Sequence, residues 1–157
     1  MSTPHINADD YVSQAVKACQ ACRPLMDEIL SLYGQVEEDI SRLGAVCLGG
    51  GTCCRFDRMG HRLYASSGEI ALLMTAKEAW PANLTLGRCP WQKGPSCKAR
   101  LFRPLGCRTY FCDARIADNF QEIYEKYHLL VKSAHQKHCT PYAYVDLIGY
   151  LMQLSAT

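Results

Sequence analysis

Seven of the chain's ten cysteines fall between positions 47 and 112, as Cys47, Cys53, Cys54, Cys89, Cys97, Cys107 and Cys112. No other feature limits the fold as sharply. From Cys89 to Cys112 the text is rich in Pro, Gly and Arg, so loops and short turns are expected there rather than regular elements. A thiolate is the soft, charged ligand that zinc and iron–sulfur clusters select, and cysteines gathered from separate short segments suit a small closed site. The seven are therefore read as a ligand set for zinc or an iron–sulfur cluster. A site that exists only in the folded chain lends its binding free energy to folding, so metal and local structure are expected to be coupled between Cys47 and Cys112.

A disulfide framework is the competing account, and compartment separates the two. Residues 1–11, MSTPHINADDY, contain neither a basic n-region nor an apolar h-region, so no secretory signal is expected. No run approaches the eighteen or so apolar residues of a membrane span. The expectation is a cytoplasmic chain without a membrane partner, where dense cysteine means metal binding or catalysis more often than disulfides.

The chain has 157 residues, 48% hydrophobic and 20% charged, which fits one globular domain with its own core. Its net charge of +2 conceals a sum of −4 over residues 1–54, +7 over 55–115 and −1 over 116–157. Basic side chains thus gather where the cysteines are. They offset the negative charge of several thiolates at one metal, or they face an anionic partner. Trp91, Phe102, Tyr110 and Phe111 interleave with Arg100, Arg103, Arg108 and Arg115, as a nucleic-acid surface would require. A pI of about 8.0 lies below the range of dedicated nucleic-acid binders, so charge neutralisation is the preferred reading.

Helices flank the cysteine-rich stretch. Val12, Ala15, Cys19, Cys22, Met26, Ile29, Tyr33, Val36, Ile40 and Leu43 follow one another in steps of three and four, an apolar seam on a helix. Pro24 predicts a kink or two helices meeting near Arg23, and Gly34 is a second weak point. Cys19 and Cys22 spell C-x-x-C, yet both fall on the seam, so they are read as core residues before ligands. Further on, residues 61–65 suit a short strand. Ser66-x-x-Glu69 reads as a capping box that opens a helix over 70–79, with Pro81 closing it. Ile116, Phe120, Ile123, Tyr127, Leu130 and Ala134 predict another helix, and Val145, Ile148 and Met152 a last one beyond Pro141. The first seam is expected to pack on this C-terminal stripe. His135, His138 and Cys139 at the junction suit either ligation or the negative end of a helix. The expected fold is mainly α. Residues 1–46 and 114–157 are its helical ends, and 47–113 a loop-dominated metal-binding core with short strands at most.

The string from Cys47 through Gly50, Gly51 and Thr52 to Cys53 and Cys54, then Cys89, Cys97 and Arg103-Pro104-x-x-Cys107-Arg108, resembles the bacterial CxxCxxCC group of zinc- or iron-chelating proteins. That group includes the flagellin lysine N-methylases, and the resemblance implies a metal or iron–sulfur centre in residues 47–113. Where the family motif reads C-x-x-C-G-x-C-C, Gly50 stands here in place of the second cysteine. Cys112, five residues after Cys107 in the same segment, is the expected source of the missing sulfur. Adjacent residues such as Cys53 and Cys54 point differently, and seven candidates exceed the four donors that one zinc or one cubane cluster takes. Either two metals are bound or some of the seven are spare. Arg103 and Arg108 are expected to donate to thiolate sulfur or to a carboxylate that braces the loops. Three functions fit: a metal- or cluster-binding protein, which is preferred; a methyltransferase-like or redox enzyme; and a zinc-stabilised adaptor for a protein or anionic partner. No G-x-G-x-x-G, P-loop or acid/base pair gives the enzyme reading support of its own.

Overall fold

The computed structural model describes residues 7–44, 62–76, 89–94, 96–109 and 116–156. The seam divides where Pro24 requires it. Helix α1 (Ala8–Gln20) ends in a turn, and α2 (Arg23–Arg42) begins with Pro24 in its first turn, where the missing N–H costs nothing. Asp9 and Asp10 open α1 and Lys17 closes it, matching the helix dipole. Gly34 does not interrupt α2, which is continuous through it; the burial of Tyr33 and Val36 on either side holds that turn in place. Past the end of α2, Gly44 takes the left-handed φ of +67° that suits a residue just beyond a helix.

Eight of the ten seam positions are buried, and Cys22 and Leu43 are partly buried against the same core. Part of that face meets α5 (Ala117–Lys137), as the pairing of the two stripes predicts. The stripe on α5 matches the expected one at Phe120, Tyr127 and Ala134 and differs at one position: Val131 is buried and Leu130 is 39% exposed. Both continue the three-four step from Tyr127, and contact with α2 selects Val131.

Two distant segments pair as a two-stranded sheet. Strand β1 (Tyr64–Ser66) pairs antiparallel with β4 (Tyr144–Asp146), in the register Tyr64↔Asp146, Ala65↔Val145 and Ser66↔Tyr144. Val145 is therefore a strand residue, not part of the last helix. Each strand runs straight into a helix: β1 into α3 (Ser67–Leu73) and β4 into α6 (Leu147–Ala156). The capping box is present, with Ser66 Oγ accepting the Glu69 N–H while the Glu69 carboxylate accepts the Ser66 N–H. Helix α3 is shorter than expected. It stops at Leu73, where the next residues turn and Thr75 Oγ1 donates to the Leu72 carbonyl at 2.6 Å. All seven of its residues are buried, packed chiefly beneath α1 and α2. Pro81 and the rest of the expected helix lie outside the described residues.

The basic stretch is less irregular than its composition suggests. Strands β2 (Gln92–Lys93) and β3 (Ser96–Cys97) form a small hairpin, with Gly94 in its turn at φ +59°. A 3₁₀ turn follows at Arg100–Phe102, then a short helix α4 (Leu105–Thr109) that packs on α2 and α5. Pro104 begins α4, its carbonyl accepting the N–H groups of Cys107 and Arg108 at 3.0 and 3.2 Å. Observed helices dominate the fold, with only these two- and three-residue strands among the described residues. No helix among them is long and apolar enough to cross a membrane.

Candidate metal centre

Three of the seven predicted ligands lie among the described residues, and they come together. Cys89 just before β2, Cys97 in β3 and Cys107 in α4 line one cavity of about 20 Å³, walled also by Trp91, Arg103 and Leu147. Cys89 is buried, and Cys97 and Cys107 are half-buried. Hairpin pairing holds Cys97 across from Gln92, and the Lys98 N–H donates to the Trp91 carbonyl at 2.9 Å, which ties the hairpin shut beside the cavity. Among the described residues no three His, Cys, Asp or Glu side chains converge closely enough to hold an ion, so the three thiols share a cavity without meeting at a point. Cys47, Cys53, Cys54 and Cys112 lie outside the described residues.

Arg108 braces this region. Its Nε donates to the Arg103 carbonyl and its Nη2 to the Leu101 carbonyl, each at 2.8 Å, and Nη1 reaches Glu37 Oε1 on α2 at 2.7 Å. The guanidinium also lies 4.1 Å from the centre of the Tyr33 ring. Of the two roles expected for Arg108, the carboxylate and loop brace is the one observed. Arg103 differs. Its Nη2 approaches Glu37 at only 3.8 Å, and its Nε is buried with no hydrogen-bond acceptor. A guanidinium N–H without an acceptor, on a residue that lines a cavity with three thiols, matches a donor to negative sulfur. Three thiols along one cavity are the donor type that a soft metal takes.

The residue that sequence reasoning undervalued is Glu69. Its carboxylate is buried, accepting the Ser66 N–H and Oγ–H at 2.9 Å through Oε2. Through Oε1 it accepts the Leu105 N–H at 2.8 Å and the Tyr33 hydroxyl at 3.3 Å. One carboxylate thus joins α2, the start of α3 and the start of α4, two residues before Cys107. Burial, then the charge of Glu69, pushes the Tyr33 hydroxyl well above its ordinary range, so it stays a neutral donor. The available signal was that the capping-box glutamate opens a run of apolar residues, which carries the carboxylate inward.

The remaining candidate ligands among the described residues do not join this cavity. Cys19 is fully buried, its Sγ–H directed to the Pro141 carbonyl at 3.7 Å, and burial raises its pKa. His135 is buried with Nδ1–H toward the same carbonyl at 3.1 Å. His138 and Lys137 pair with Glu28, whose carboxyl is held below its usual range mainly by the His138 hydrogen bond. Cys139 is exposed at φ +52°, just past the C-terminus of α5. Trp91 is buried, which removes it from any surface offered to an anionic partner. No family model, curated protein or solved structure matches the chain.

Proposed function

We propose that this chain is a cysteine-ligated metal-binding protein whose centre, zinc or an iron–sulfur cluster, is held by Cys89, Cys97 and Cys107. What carries the reading is that these three thiols, one just before β2, one in β3 and one in α4, line one cavity. The buried Arg103 Nε, which lacks an acceptor, supports it, as does the resemblance of the cysteine pattern to the CxxCxxCC proteins. A fourth thiolate would come from Cys47, Cys53, Cys54 or Cys112. Thiolate ligation requires a reducing compartment, and the cytoplasm suits it. Bound metal would draw the hairpin and α4 together and neutralise the thiolates alongside Arg103.

Metal and acid-labile sulfide are to be measured on anaerobically purified protein, with its absorption spectrum. Brown protein carrying iron and sulfide marks a cluster, and colourless protein carrying zinc marks a single-ion site. Cys107→Ser should lower bound metal sharply, because a hydroxyl is a poor donor to a soft metal. Chelation should open the 89–109 region to protease while α1, α2 and α5 persist. Protein that binds neither zinc nor reconstituted iron and sulfide would overturn the reading.

A further inference from the structure

The seam accounts for Cys19 but leaves Cys22 half-explained, since Cys22 is only partly buried. Cys19 lies at the end of α1 and Cys22 caps α2, and the Cys22 N–H donates to the Cys19 carbonyl at 3.0 Å. A turn closed by that bond keeps its end Cα atoms within about 7 Å, near the span of about 4.4–6.8 Å that a disulfide bridges. The Cys22 side chain makes no capping hydrogen bond, so its sulfur is not occupied by the helix it opens. Cys22 is thus partly exposed at the turn, and Cys19, three residues before it, is buried.

We propose that Cys19 and Cys22 form a reversible disulfide by exchange with a small disulfide such as that of glutathione. The Cys22 thiolate attacks one glutathione sulfur, forms a mixed disulfide and expels one glutathione thiolate, which takes up the proton Cys22 released. Cys19 then gives up its proton and attacks the Cys22 sulfur, expelling the second glutathione. Two thiols of the protein are oxidised and one glutathione disulfide is reduced to two thiols. Burial raises the Cys19 pKa, which suits the order of attack, Cys22 first and Cys19 second. The core tolerates the change. Cys19 loses the S–H that it directs to the Pro141 carbonyl, but that carbonyl retains Ser67 Oγ at 3.0 Å and His135 Nδ1 at 3.1 Å. The pair is separate from the proposed metal ligands and does not depend on them.

The test uses the full chain, reduced, incubated with glutathione disulfide, alkylated and digested with trypsin. Arg23–Pro24 resists trypsin, so cleavage after Lys17 and Arg42 releases one peptide whose only cysteines are Cys19 and Cys22. The expected product is that peptide lighter by two hydrogens and unalkylated, restored by dithiothreitol. Cys19→Ser should instead retain one glutathione on Cys22, and Cys22→Ser should carry neither modification. A wild-type peptide that stays doubly alkylated, or that accumulates glutathione on Cys22 without closing, would overturn the proposal, and neither readout depends on a variant folding.

Discussion

Glu69 accepts the backbone N–H of Leu105 at 2.8 Å from 36 positions away in the chain, and through that bond a buried carboxylate sets where the helix bearing Cys107 begins. Its four donors are all supplied by the protein, so the acid tolerates no donor in place of an acceptor. Glu69→Gln puts an amide NH₂ against donors on one side. It should lower stability by about 2–3 kcal/mol, the scale of a hydrogen bond to a charged group. Urea unfolding measures it, and an unchanged midpoint would show that the carboxylate does not anchor α4.

Gly68 is required by space. A Cβ there would lie 2.7 Å from His135 Nε2 and 2.7 Å from Ile29 Cδ1. Gly68→Ala should therefore cost about 1–3 kcal/mol, as overpacking in a close-packed core does. Thermal melting checks it, and a rise in Tm would mean that α3 has more room than the close contacts to Ile29 and His135 imply.

Gly34 is the opposite case. It lies inside α2 with nothing within 4 Å of the position its Cβ would take. Gly34→Ala should stabilise by about 0.5–1 kcal/mol, because alanine loses less backbone freedom on entering a helix. Denaturant titration gives the sign directly.

His135 makes stability pH-dependent. Burial lowers its pKa below the ordinary 6.5, so an unfolded chain takes up a proton near that pH while the folded chain resists until lower pH. Between those values the unfolded state binds more protons. Stability is therefore full above 6.5 and falls as the pH drops, by at most about 1.4 kcal/mol per pH unit. Glu28 and Asp39, both lowered by hydrogen bonds, act the same way only below their ordinary 4.5 and 3.8. Comparing urea midpoints at about pH 7.5 and about pH 5 stays above the range in which Glu28 and Asp39 act. The slope should shrink in His135→Leu, and an equal slope in both proteins would exclude His135 as its source.

Much of the frame was legible because it is local. Apolar spacing located α1, α2 and α5, Pro24 located their break, and Ser66 with Glu69 located the start of α3. Choices between equivalent local answers were not legible. Leu130 and Val131 fit the same stripe, and only the approach of α2 separates them. The end of α3, the strand role of Val145 and both partners of Glu69 Oε1 depend on chain far away in sequence. In the site, composition marked Cys89, Cys97 and Cys107 as candidates for one site. That they share a cavity, and that Arg108 turns to Glu37 71 positions away, required the fold.

Strand β4 arrives late for β1. Pairing Tyr64 with Asp146 means that about 80 further residues must be synthesised before the sheet can form, several seconds at about 5–20 residues per second. Leu147, next after β4, is part of the wall around Cys89, Cys97 and Cys107, so that wall is completed only by residues made about 40 positions after the last of the three cysteines.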